Sequence, residues 1–79
     1  MKLPRNLNGR DLAQALVRHW NYREVNRVGS HIILQTESPK HHRVSVPDHN
    51  PLRIGTLNAI LRSVADAKNL TRNDILASL

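Results

Sequence analysis

The 79 residues contain no cysteine and no phenylalanine, and Trp20 and Tyr22 are the only aromatic side chains. Without cysteine there is no disulfide to staple the chain and no thiolate to hold zinc. Two aromatics are too few for a sheet that stacks bases one after another, which argues against a single-strand-stacking module of the RRM kind. Long apolar runs are also missing. Nothing approaches the roughly 20 apolar residues that cross a bilayer. The opening segment, Met1-Lys-Leu-Pro-Arg-Asn-Leu-Asn-Gly-Arg10, has no apolar stretch to serve as a secretory signal. The expectation is a soluble cytoplasmic protein without membrane contact. No repeat, linker or low-complexity segment divides the chain, so residues 1–79 read as one domain. A domain this small has marginal stability.

Acidic residues are scarce as well. Six Asp and Glu face twelve Lys and Arg, a net charge of +6 on 9.0 kDa. Nine of the twelve cations are arginine, whose planar fork suits bidentate contact with phosphate. The excess leans toward the N-terminal third, where six cations up to Arg27 meet only Asp11 and Glu24. Such a balance favours a polyanionic partner, nucleic acid first. It does not say whether the partner is cut or only bound.

The apolar pattern is helical at first. Asn8 suits an N-cap with Asp11 three residues on, and Leu12, Leu16 and Trp20 recur at helical spacing beside Ala13 and Val17. That spacing predicts an amphipathic helix over 9–20 with Trp20 on its buried stripe, leaving Arg10, Gln14 and Arg18 on the opposite face. The period then shortens. Tyr22–Val28, His31–Thr36 and Arg43–Val46 read as three strands, joined at Gly29-Ser30 and at Ser38-Pro39-Lys40. An antiparallel meander is the simplest pairing of strands so closely linked. From about Thr56 helical spacing returns through Leu57, Ile60, Leu61 and Val64, and Asn69 suits the left-handed residue that ends such a helix. Thr71 with Asp74 forms a capping box for a short helix over 72–78, with Leu70 set to staple against Ile75. The order α-β-β-β-α, plus the short C-terminal helix, predicts an α+β fold with helices on one face of a three-stranded antiparallel sheet.

Strand parity sorts the side chains. Ile32 and Leu34 share one face of the second strand, and His31, Ile33 and Gln35 share the other. Val44 and Val46 share a face of the third. The simplest core joins Ile32, Leu34, Val44 and Val46 to the helices, which leaves His31 on the solvated face or the rim. A register slip of one residue would reverse this.

The first helix, Gly29-Ser30-His31, Val44-Ser-Val-Pro47, His49 and Gly55-Thr-Leu-Asn-Ala-Ile-Leu-Arg62 together resemble the HicA (YcfA-like) toxins of bacterial toxin–antitoxin pairs. Each piece is common; their order and spacing are not. The resemblance covers roughly the first four-fifths of the chain. It implies a fold like a double-stranded-RNA-binding domain, ribonuclease activity on mRNA with no cofactor or metal, and neutralisation by a HicB-type antitoxin. The family's essential histidine follows the Gly-Ser turn, and His31 matches it. Two departures stand out. Ile32 occupies the place where a second histidine or a bulky residue often follows, and the tail Ala65–Leu79 is longer than in minimal members.

RNA carries its own nucleophile, the 2′-hydroxyl. A catalyst must take its proton, stabilise charge at phosphorus and protonate the leaving 5′-oxygen. Imidazole suits the proton steps because its pKa of about 6.5 lies near the working pH. His31 would serve as base or acid. Topology offers Arg27, Arg43 and Lys40 as the nearest cations, and Ser30, Arg10 and Arg23 as further RNA contacts. A strand histidine can also do no more than close its turn with a hydrogen bond. The Gly-Ser-His context favours the reactive role. His41, His42 and His49 do not make a metal site with His31, since neighbouring strand positions point to opposite faces; loop and rim roles fit them better. His19, at a helix end, fits a structural role. Two other functions share these features: a non-catalytic double-stranded-RNA-binding domain, and an interaction subunit that works only inside a repressor complex. The toxin alone is expected to be a monomer.

Overall fold

The first helix, α1 (Gly9–His19), starts at the expected cap: the Asn8 carboxamide oxygen accepts from the Asp11 backbone N–H at 2.8 Å. The computed structural model describes residues 6–79, and α1 is followed by β1 (Arg23–Val28), β2 (His31–Thr36), β3 (His42–Pro47), α2 (Ile54–Lys68) and α3 (Arg72–Leu76). Lys2, Arg5 and the first half of the segment read as lacking a leader lie outside the described residues. Asn69 closes α2 in the left-handed conformation (φ 59°, ψ 40°), as its side chain permits. Thr71 and Asp74 form the full capping box of α3. Hydrogen bonds from the Thr71 backbone and hydroxyl hold the Asp74 carboxyl below its ordinary pKa. Leu70, set by the sequence to staple α3, stays 41% exposed.

The sheet has the order β1-β2-β3, both pairs antiparallel, and the fold is the expected α+β arrangement. Ile32, Leu34, Val44 and Val46 form the sheet's half of one core. Leu12 and Leu16 of α1, and Leu57, Ile60, Leu61 and Val64 of α2, form the other half. Ile75 and Leu76 bring α3 into the same core. The tail is tied back a second time, by the Trp20 Nε1–H donating to Ser78 Oγ at 2.8 Å. Trp20 packs against the core only partly buried, which leaves its polar edge free for this bond. α1 and α2 lie over β2 and β3, so β1 is an edge strand with every residue exposed.

Two backbone details fix the site. β1 and β2 meet through a two-residue loop in which Gly29 takes φ +59°, a conformation that costs glycine nothing. β1 also carries a bulge: Glu24 pairs with Leu34 and Asn26 with Ile33, so Val25 has no partner. The extra residue inverts the alternation. Arg23 and Asn26 therefore share the open face with Gln35 and Ile33, while Glu24 and Arg27 turn to the helix side.

Candidate active site

His31 begins the central strand, immediately after the Gly29-Ser30 loop, with Val28 across from it on β1 and Pro47 on β3. Its side chain is exposed on the face that no helix covers. Nδ1 lies 3.0 Å from the hydroxyl oxygen of Ser45, whose strand position pairs with Ile33. Among the described residues this is the ring's only hydrogen bond. The loop itself is anchored, since the Ser30 carbonyl accepts from the Asp48 N–H at 2.6 Å. A tight turn, a paired neighbour on each side and one bonded nitrogen hold an accessible imidazole in a defined place.

The predicted cations divide. Arg43 lies on His31's face, its Nε and Nη2 donating to Gln35 Oε1 at 3.1 and 2.6 Å. Arg23 is in register with the same Gln35. This cluster stands four residues further along β2, about 13 Å from His31 at roughly 3.3 Å per residue. Gln35 in turn donates to Glu37 at 2.7 Å, and His41 lies 3.0 Å from that carboxylate. Hydrogen bonds from His41 and Gln35 keep the Glu37 carboxyl below its ordinary pKa.

Arg27 and Arg10 are elsewhere. Both terminal guanidinium nitrogens of Arg27, Nη1 and Nη2, donate to Asp48 Oδ2 at 3.2 Å, and Arg10 approaches the same oxygen at 3.6 Å. The bulge at Val25 is what sends Arg27 to the helix side. There Arg27, Arg10 and Arg18 border an open groove of about 410 Å³ whose floor includes Val17, Ile32 and Leu34. Lys40 is in the β2–β3 connection, at the end of β2 opposite His31. Of the three cations that the sequence sets nearest the histidine, only Arg43 shares its face, and it stands two residue pairs along; Arg27 turns to the other face and Lys40 lies past the far end of β2. Ser30 does adjoin the histidine, as the loop residue just before.

One polar cluster was not anticipated from the sequence. Tyr22 is buried, and its hydroxyl lies 2.7 Å from His42 Nδ1, while His42 Nε2 lies 2.9 Å from Ser63 Oγ on α2. Lys68 Nζ sits 4.9 Å from the Tyr22 ring centre and donates to Thr36 Oγ1 at 3.1 Å and to the Ser38 carbonyl. The cluster joins β2, β3 and the residue that leads into β1 to α2, and among the described residues no buried side-chain polar atom lacks a partner. Burial pushes the Tyr22 hydroxyl up to about 12. It is a structural joint, so His42 is spent on packing rather than on a ligand. Among the described residues no three metal-ligating side chains converge, and no helix is long and apolar enough to cross a membrane.

This joint makes stability pH-dependent. Burial, with the charges of Lys40 and Lys68, holds the His42 pKa below its ordinary 6.5. The folded state then binds fewer protons than the unfolded chain, so the stability is fully present above 6.5 and is lost as pH falls from there through the lower folded-state value. The melting temperature is expected to drop between pH 7 and 5, and to drop less in His42→Gln. Equal slopes for the two proteins would refute this.

Fold and site define a small basic α+β domain with the strand and helix order of double-stranded-RNA-binding domains and one anchored, solvent-facing histidine on its open sheet. The family model for the HicA toxin of bacterial toxin–antitoxin systems matches residues 9–65, and the chain belongs to that family. It is thus the toxin member of such a system. The match stops before α3, which adds core contacts beyond the shared span. No curated protein and no solved structure matches the chain.

Proposed function

We propose that this toxin is a metal-independent endoribonuclease that cuts mRNA, with His31 moving a proton at the scissile ribose phosphate. One observation carries the reading. The histidine that the family pattern singles out is the imidazole that the fold holds exposed on the uncovered face, beside Ser45. The net charge of +6 suits the polyanion. The whole 79-residue chain acts as one toxin domain, a monomer in the cytoplasm until a HicB-type antitoxin with an acidic surface covers His31.

The test is cleavage of a defined transcript in excess chelator, with the product ends mapped. Attack by the 2′-hydroxyl leaves a 2′,3′-cyclic phosphate; a 3′-hydroxyl end would mean a metal-activated water and overturn the reading. RNA that is bound and never cut would favour the non-catalytic double-stranded-RNA-binding alternative.

Arg23 on β1 and Arg43 on β3 flank Gln35, about 13 Å along the sheet from His31. In this reading they hold phosphates further along the same strand. Replacing both with alanine is expected to lower the slope of log K against log salt by about 1.4, from ~0.7 per phosphate contact on a single strand. An unchanged slope in a binding titration across salt concentrations would remove them from the interface.

A further inference from the structure

An imidazole has two nitrogens, and which of them carries the proton decides what the ring can do. In His31 the fold engages only one, since Nδ1 lies 3.0 Å from Ser45 Oγ. A serine oxygen can accept from Nδ1–H both in the neutral ring and in the imidazolium. With the proton parked there, the lone pair of the neutral ring is on Nε2. Resting on the reading of His31 as the group that cuts RNA, we infer that Ser45 is a positioning residue: it keeps Nδ1 protonated and fixes the ring, so that Nε2 alone exchanges the proton.

The accounting closes in either role. As base, Nε2 takes the proton of the 2′-hydroxyl as that oxygen bonds to phosphorus; the P–O5′ bond breaks, the leaving 5′-oxygen takes its proton from solvent water, and the ring becomes imidazolium with Nδ1–H still on Ser45. As acid, Nε2 of the imidazolium gives its proton to the 5′-oxygen as the P–O5′ bond breaks, solvent water takes the proton of the attacking 2′-hydroxyl, and the neutral ring again keeps Nδ1–H. Ser45 neither gains nor loses a proton.

The surroundings leave this work to Ser45. Val28, Asn26, Ile33 and Pro47 share the face around the ring and none can titrate; Arg23 and Arg43 are two residue pairs further on. Ser45 is exposed and mid-strand, so its replacement spares the core. Its parity is set by Val44 and Val46, which point into the core on either side. The serine is therefore delivered to the histidine by the same alternation that builds the domain.

Two readouts test it. On ¹⁵N-labelled free protein, ring ¹⁵N–¹H correlations are expected to show His31 protonated at Nδ1 in its neutral form, and to shift toward Nε2–H in Ser45→Ala. In cleavage assays Ser45→Ala is expected to lower kcat about tenfold with KM unchanged, and Ser45→Thr to restore most of it. Ser45→Asp places a carboxylate against the ring and is expected to move the pH–rate profile upward. A wild-type ring found as the Nε2–H tautomer, or a Ser45→Ala protein with full kcat, overturns the assignment. Failure of the catalytic reading is distinct: there His31→Ala would still cut RNA, and Ser45 would fall with it. Failure of the positioning step alone shows an inactive His31→Ala beside a fully active Ser45→Ala.

Discussion

Replacing His31 with alanine is expected to slow RNA cleavage by about 10²- to 10⁴-fold, the usual worth of a positioned proton-transfer group, while the protein stays folded. The second half of this expectation follows from the site. The imidazole is exposed and its one hydrogen bond, to Ser45, is at the surface, so its loss shifts stability by no more than about 0.5 kcal/mol. His31→Gln sharpens the test, since an amide can keep a hydrogen bond to Ser45 yet cannot exchange a proton near neutral pH. It should be as inactive as the alanine variant. The measurement is single-turnover cleavage of a defined transcript, with a melting curve and a binding titration on the same preparations. Cleavage that persists in both variants removes His31 from the chemistry. Binding lost along with cleavage would instead make it a contact residue.

The position of His31 was legible because it needs only short-range rules. Ile32 and Leu34 alternate with His31, Ile33 and Gln35, and a two-residue loop leaves little freedom of register. The capping residues Asn8, Asn69 and Thr71 were equally plain, since each acts on backbone within four residues of itself. What escaped depends on one backbone irregularity and on contacts distant in sequence. No residue type announces the bulge at Val25, yet it turns Arg27 away from Arg23 and toward Asp48. Lys40 was misplaced for a simpler reason. β2 runs away from His31 for its whole length before the chain reaches that turn, and this could have been counted from the sequence. Tyr22 lies just before β1, His42 on β3 and Ser63 on α2, and only the packed fold brings them together.

The same limit applies to Gly9, where the second large effect is expected. As the first residue of α1 it resembles an ordinary helix start, and alanine would normally be the better helix former there. The structure reverses that preference. A Cβ built on Gly9 would lie 1.7 Å from the Pro47 carbonyl oxygen and 2.8 Å from its carbon, both backbone atoms. Neither side can yield cheaply. The Gly9 N–H donates to the His49 carbonyl at 2.9 Å, and Pro47 is held in register opposite His31 beside fully buried Val46. To admit a methyl group α1 must move away from β3, loosening Leu12 and Leu16, both fully buried. Gly9→Ala is therefore expected to cost about 3 kcal/mol, at the upper end of overpacking. In a domain of this size that lowers the melting temperature by roughly 10–25 °C. Gly55→Ala is the control. It too sits in the first turn of a helix, but a Cβ there meets nothing within 4 Å, so the change should stabilise by up to about 1 kcal/mol. Thermal melts followed by circular dichroism separate the two. Because Pro47 pairs with His31, the clash also bears on function: where Gly9→Ala still folds, the sheet edge beside the histidine must have shifted, and cleavage should fall with it. A Gly9→Ala protein that melts with the wild type would show that α1 does not seat on β3 as closely as this geometry requires.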